Sequence, residues 1–213
     1  MRFAIGIPTY NRFDLLESSL QKYLQDFPNT HIHIVDNGKQ NIPDYPNTPI
    51  TVHRPEKNLG VAASWNFLCR EIYQEYEYAM ILNDDVYLGY GTDLVNQVID
   101  SHPNKMITSF ISWSVFLLPK CFFQYVGHFD EIFYPAYYED SDYIYRMKLL
   151  NVIHAVDKRL NPEIIRISMT YEKDPDFVNN AMQTNKQRYI DKWGNLPLLE
   201  TYQYPYNLTG TGL

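Results

Sequence analysis

The sequence predicts an α/β fold with a single, mostly parallel central sheet flanked by helices. Three observations predict it. Short apolar runs alternate with amphipathic stretches, the runs end in turn residues, and 213 residues with 45% hydrophobic content suit one domain with a sizeable core.

Phe3 to Ile7 is the first apolar run and reads as a buried strand that ends in a loop at Pro8. Leu15, Leu16, Leu20 and Leu24 follow at helical spacing, and His31 to Val35 forms a second strand stopped by Asp36-Asn37-Gly38. Strand, helix, strand opens a parallel sheet. Pro43, Pro46 and Pro49 mark a loop before a short strand, Ile50 to His53. Asn58-Leu59-Gly60 then opens a helix whose stripe is Val61, Trp65, Leu68 and Ile72. Tyr78 to Leu82 is the fourth strand and runs directly into Asn83-Asp84-Asp85. Beyond it the pattern predicts a helix over Thr92 to Ser101, strands near Met106 to Thr108 and Ser114 to Leu118, and a helix over Glu139 to Leu150. Short strands at Ile153 to Val156 and Glu163 to Ile167 and a polar helix from about Asp174 to Trp193 complete it. There is no internal repeat or low-complexity linker.

Eighteen basic against 25 acidic side chains give a formal net charge of -7, which disfavours nucleic acid and anionic lipid as partners. A polyphosphate ligand then needs local help, and a divalent cation held by carboxylates provides it. Cys69 and Cys121 both lie in apolar runs, which predicts two buried free thiols and a reducing, cytoplasmic setting. The apolar stretch in MRFAIGIPTY is too short for a signal peptide or a membrane span, and no later segment reaches spanning length. Without a secretory signal, the glycosylation pattern at Asn207-Leu208-Thr209 reads as accidental. Nineteen Tyr and 11 Phe, many of them between Phe110 and Tyr145, suit either sugar rings or a Tyr-rich core.

Four places carry chemistry. Asp84 and Asp85 leave a buried strand together and repel one another unless a cation neutralises them, whereas a solvated turn is the plain alternative. Mg²⁺ and Mn²⁺ are the hard cations that carboxylate and phosphate oxygens prefer. Asp36, at a strand end, has an acceptor for a uracil imide N–H, or else it closes an Asx turn. Pro8-Thr9-Tyr10-Asn11-Arg12 follows the first strand in the same manner, with Arg12 as a phosphate partner, Thr9 or Tyr10 for a nucleoside, and Asn11 as a possible helix cap. Glu139, Asp140 and Asp142 gather at a helix start, where the helix dipole favours them; flanking aromatics would instead raise a carboxylate's proton affinity and make it a base.

Taken in order, Ile7 to Arg12, Val35-Asp36-Asn37-Gly38, Asn58-Leu59-Gly60, Asn83-Asp84-Asp85 and Gly127-His128-Phe129-Asp130-Glu131 with Tyr138-Glu139-Asp140-Ser141-Asp142 resemble the consecutive motifs of family-two GT-A glycosyltransferases. The resemblance covers roughly Met1 to Asp157 and is closest to the rhamnosyltransferase-like branch. It also extends to the N-terminal domain of larger chlorovirus glycosyltransferases that build capsid glycans, which implies further domains of a larger chain. The resemblance implies a GT-A fold, a single Rossmann-like domain over 1–213. Its nucleotide-sugar half is about 1–90, its acceptor half about 91–170, and a C-terminal helix and tail take 171–213. It further implies that Asp36 contacts the base, that Asp84 and Asp85 form the DXD-like site with Asp85 the direct metal ligand, and that Asp140 is the catalytic base. Pro8, Thr9, Tyr10, Arg12, Asn58, Gly60 and Asn83 join Asp36 and Asp84 on the donor side. Trp113 and the tyrosines of Tyr134 to Tyr138 shape the acceptor side. The family often places a metal-contacting histidine beyond the last core strand; Glu163 to Ser168 contains none, and His154 lies earlier.

These expectations combine into one reaction: transfer of a hexose or deoxyhexose from a UDP-sugar to a glycan hydroxyl, with Mn²⁺ or Mg²⁺ and inversion at the anomeric carbon. Two rivals remain. A sugar-nucleotide pyrophosphorylase wants a Gly-rich basic loop after the first strand, but Ile7 to Arg12 contains no glycine. A glycan-binding domain without turnover keeps the fold, and Asp84, Asp85 and Asp140 argue against it.

Overall fold

The computed structural model describes residues 2–46, 48–111, 113–165 and 175–208. Its main sheet has seven strands: β1 (Phe3–Thr9), β2 (Ile32–Asp36), β3 (Ile50–His53), β4 (Tyr78–Leu82), β6 (Ile107–Thr108), β7 (Val115–Pro119) and β8 (Ala155–Val156). The order is β3-β2-β1-β4-β7-β6-β8. β3, β2, β1 and β4 are mutually parallel, β7 runs antiparallel to both β4 and β6, and β8 is parallel to β6. A separate two-stranded ribbon pairs β5 (Val86–Tyr87) with β9 (Ile164–Ile165).

The α-helices of the described residues are α1 (Phe13–Asp26), α2 (Gly60–Ile72), α3 (Thr92–Ser101), α4 (Lys120–Val126), α5 (Glu139–Leu149) and α6 (Pro175–Trp193). Alternate residues of β4 sort the layers, because successive strand side chains point to opposite faces. Met80 and Leu82 pack in one core with Leu16, Leu20 and Tyr23 of α1 and Val95 and Val98 of α3. Ala79 and Ile81 face the other core, with Trp65 and Leu68 of α2, Phe123 of α4 and Tyr143 of α5. A strand buried on both faces must be apolar throughout, and all five residues of β4 are buried. Gly6 lets α2 approach closely, since a Cβ there would lie 3.2 Å from Leu68 Cβ.

The boundaries of β3, β4 and α3 fall where the pattern places them. β1 does not stop at Pro8. Its ladder with β4 ends at Gly6, so the missing proline N–H interrupts nothing there, and Pro8 and Thr9 continue opposite Val35 and Asp36. β5 and α4 are too short for a periodic signal. β8 is shorter than Ile153 to Val156, and among the described residues of the expected Glu163 to Ile167 strand Ile164 and Ile165 pair, with β5 instead of the main sheet. Residues 166 and 167 of that strand, and Asp174 of the last helix, lie outside the described residues. Asn11 is not the cap of α1: it has a left-handed φ of 56°, and Arg12 holds the cap position without a side-chain cap bond. Cys69 is buried, and burial pushes its thiol up to about 12; Cys121 is exposed because α4 turns it away from the core.

Candidate active site

A cleft of about 590 Å³ opens at the carboxyl ends of β1 and β4, where ligands bind in open α/β sheets. One wall carries Pro8, Thr9 and Tyr10 from the end of β1, with Asn58 and Gly60 at the start of α2. The floor is Asn83, Asp84 and Asp85, directly after β4. The far wall is Ile111, Trp113, Pro135, Ala136 and Tyr137, with Glu139 and Asp140 from the first turn of α5. Nine of the eleven expected site residues therefore meet in one cleft, and Trp113 and Tyr137 join them.

Asp36 and Arg12 do not line it. Asp36 is 1% exposed, and its Oδ1 accepts hydrogen bonds from the backbone N–H groups of Gly38 and Gln40, 3.1 and 3.2 Å away. Its Oδ2 is buried without a partner among the described residues. The turn that Asp36 closes accounts for one oxygen and leaves the other unexplained. Arg12 is also buried, and its guanidinium donates to both carboxylate oxygens of Asp14 at 3.1 and 3.0 Å. The hydrogen bond to Asp14 raises its proton affinity, with a smaller contribution from the charges of Asp84 and Asp85. Arg12 thus acts on the carboxylates through its field, from behind the wall.

Among the described residues, the field of Arg12 offsets only part of the charge at the floor. Burial pushes the Asp84 carboxyl up to about 6; the hydrogen bond from the Thr9 hydroxyl opposes the shift and the charge of Asp85 adds to it. Asp85 is raised too, chiefly by burial, and its Oδ1 is buried with no partner among the described residues. An orphaned carboxylate oxygen beside a second desolvated carboxylate suits a small hard cation. Asp84 and Asp85 thus fit Mn²⁺ or Mg²⁺, the remaining positions falling to phosphate and water as these ions prefer. Among the described residues no three His, Cys, Asp or Glu side chains converge as a complete metal site. His154 packs its ring 6.4 Å from that of Trp113 and does not line the cleft.

The three acids of α5 part company. Two residues along a helix is a rotation of about 200°, so Asp142 points away from the cleft when Asp140 faces it. Asp142 is wholly buried and accepts from Lys192 Nζ at 2.6 Å, Trp193 Nε1 at 2.8 Å and Arg146 Nε at 2.9 Å. It is the anchor of α6. Glu139 is 7% exposed, its Oε2 has no partner, and burial together with the Asp140 charge pushes it up to about 8. Asp140 is raised by burial, and its Oδ1 accepts from the Ser141 N–H at 2.6 Å, which partly offsets the shift and fixes its orientation.

One cleft residue was not legible in advance. Phe177, near the start of α6, lines the mouth and stacks on Tyr10, their ring centroids 6.2 Å apart. A polar helix far along the chain gives no local sign of such a contact.

The fold is that of GT-A glycosyltransferases, as two solved structures show. A mannosyltransferase from Pyrobaculum calidifontis, in complex with GDP-Man and Mn²⁺, superposes with a TM-score of 0.63 at 13% identity, covering 81% of this chain and 59% of its own. GalNAc-T7 with UDP, GalNAc and Mn²⁺ gives 0.68 at 9% identity, covering 91% of this chain and 48% of its own. This chain therefore spans about half to three-fifths of the length of those two proteins. The glycosyl transferase family 2 model matches residues 4–97, the stretch holding β1 to β4 and the Asp84–Asp85 pair. No curated protein sequence matches the chain significantly.

Proposed function

We propose that this chain is a metal-dependent, inverting glycosyltransferase. It moves a hexose or deoxyhexose from a nucleotide diphosphate donor, a UDP-sugar, to a hydroxyl of a glycan acceptor. The observation that carries the reading is one cleft with the desolvated Asp84–Asp85 pair on its floor and the buried carboxyls of Glu139 and Asp140 on its far wall. The family 2 match and the sugar-nucleotide complexes of the two structural neighbours support it.

Asp85 and Asp84 would hold the cation, which when bound supplies positive charge against the departing diphosphate. The chain's own residues do the rest. Thr9 steadies Asp84 through its hydroxyl, and the Pro8–Tyr10 segment with Asn58 and Gly60 receives the nucleoside diphosphate. Asp140 takes the proton of the acceptor hydroxyl as that oxygen bonds to the anomeric carbon. Its raised proton affinity suits a base, and the Ser141 N–H holds the carboxylate in place. Attack from the Asp140 wall, opposite the leaving group, inverts the configuration in a single displacement. Trp113 and Tyr137 offer flat faces to the acceptor sugar.

The test is to incubate the protein with Mn²⁺, a panel of UDP- and other nucleotide sugars and glycan acceptors, and measure released nucleotide. Acceptor-stimulated release that stops on chelation supports the reading. Nucleotide-sugar binding with no release would favour the non-catalytic glycan-binding alternative, and pyrophosphate-dependent formation of a nucleoside triphosphate would favour the pyrophosphorylase.

A further inference from the structure

We infer that Phe177 is the second face of a slot for the nucleobase of the donor, opposite Tyr10; this rests on the nucleotide-sugar reading above. Tyr10 follows the end of β1 on the lip it shares with Pro8 and Thr9. Phe177 reaches the same lip from α6, more than 160 residues later. Both rings line the cleft, both are partly open to solvent at 40% and 37% exposure, and their planes lie within 22° of parallel. A flat ring between two others needs about 3.5 Å on each side, about 7 Å in all. The rings now stack on one another with their centroids 6.2 Å apart, so a base enters when the Phe177 side chain swings away from Tyr10.

Phe177 is presented by a fixed rod. Along α6, Asn185 Nδ2 donates to the Ala136 carbonyl at 2.7 Å, and Lys192 Nζ donates to Asp130 and Asp142, each at 2.6 Å. The helix thereby spans the cleft: its start touches the donor lip, and its middle holds the loop that supplies Pro135 to Tyr137. A base recognised by stacking between two rings gains affinity without any hydrogen bond to its edge. The diphosphate, held at the Asp84–Asp85 floor, is recognised separately.

That separation gives the test. Titration calorimetry with Mn²⁺ present compares UDP with inorganic pyrophosphate for the wild type, Phe177→Ala and Phe177→Trp. Phe177→Ala should weaken UDP by roughly 5- to 150-fold, the range for loss of one stacking partner, while leaving pyrophosphate unchanged. Phe177→Trp should hold UDP within about threefold of the wild type. Unchanged UDP affinity in Phe177→Ala overturns the slot, as does an equal loss for pyrophosphate, which would mean that α6 had shifted as a body. A wild type that binds pyrophosphate but no nucleotide also overturns it. A wild type that binds neither ligand sinks the nucleotide-sugar reading itself.

Discussion

At the residue scale, the three acids at the start of α5 show how far neighbouring side chains can differ. Asp140→Asn keeps size and the Ser141 contact but removes the base, so the transfer rate should fall by roughly 10²- to 10⁴-fold with donor affinity nearly unchanged. Glu139 holds its proton at neutral pH because its pKa is pushed up to about 8, so Glu139→Gln is close to isosteric and should stay near the wild-type rate. Asp142→Asn should behave differently from both. A helix-dipole role would make it worth about 1 kcal/mol or less, but neutralising it leaves Lys192 and Arg146 buried against a weakened partner. Breaking such a buried pair costs about 3–5 kcal/mol. Chemical denaturation of the three variants, beside their transfer rates, separates the roles. A stable but inactive Asp142→Asn, or an active Asp140→Asn, would mean that the base is misassigned. That Asp140 lines the cleft agrees with the place its motif implied. The burial of Asp142 was not legible in the sequence, because its partners on α6 are 50 residues away.

At the element scale, the sheet edge formed by β2 and β3 carries a histidine cluster outside the cleft. His33 Nδ1 and His53 Nε2 are 3.1 Å apart with nearly parallel rings, and His31 stacks its ring 4.2 Å from that of His33. Burial, then the charges of His31 and His53, pushes His33 down to about 3. The unfolded chain takes up this proton near pH 6.5 and the folded chain only near pH 3. Protons therefore favour the unfolded state across that window, and stability falls as pH drops from about 6.5. The contribution from His33 alone is up to roughly 1.4 kcal/mol per pH unit. Urea unfolding between pH 7.5 and 5 should show a steeper loss for the wild type than for His33→Phe; equal slopes would remove His33 as the cause. The apolar alternation that makes β2 and β3 strands is visible in the sequence. That three histidines face one another is not, since it depends on the register that pairs His33 with Thr51 and so sets His53 beside it.

At the scale of the whole molecule, a net charge of -7 and a desolvated carboxylate pair would make the proposed diphosphate donor a poor ligand without a cation. The Mn²⁺–UDP complex at about 100 times its dissociation constant should stabilise the fold by about 2.7 kcal/mol. That corresponds to a rise in Tm of roughly 5–10 °C for a chain of this size. UDP alone should give much less, and Asp85→Asn should erase the difference between the two. A thermal shift that is the same with and without Mn²⁺ would remove the pair from metal binding. The sequence by itself determined β1 to β4 and α1 to α3, the Asp84–Asp85 pair at the end of β4 and the order of its motifs. Those features are written in local periodicity and in residues adjacent along the chain. Only the tertiary structure decided that Asp36 and Arg12 stand behind the wall, that Glu139 and Asp140 face the cleft while Asp142 anchors a helix, and that Phe177 closes on Tyr10. Each of these depends on which segments distant in sequence pack together, and burial, which sets charge state and access, is a property of that packing.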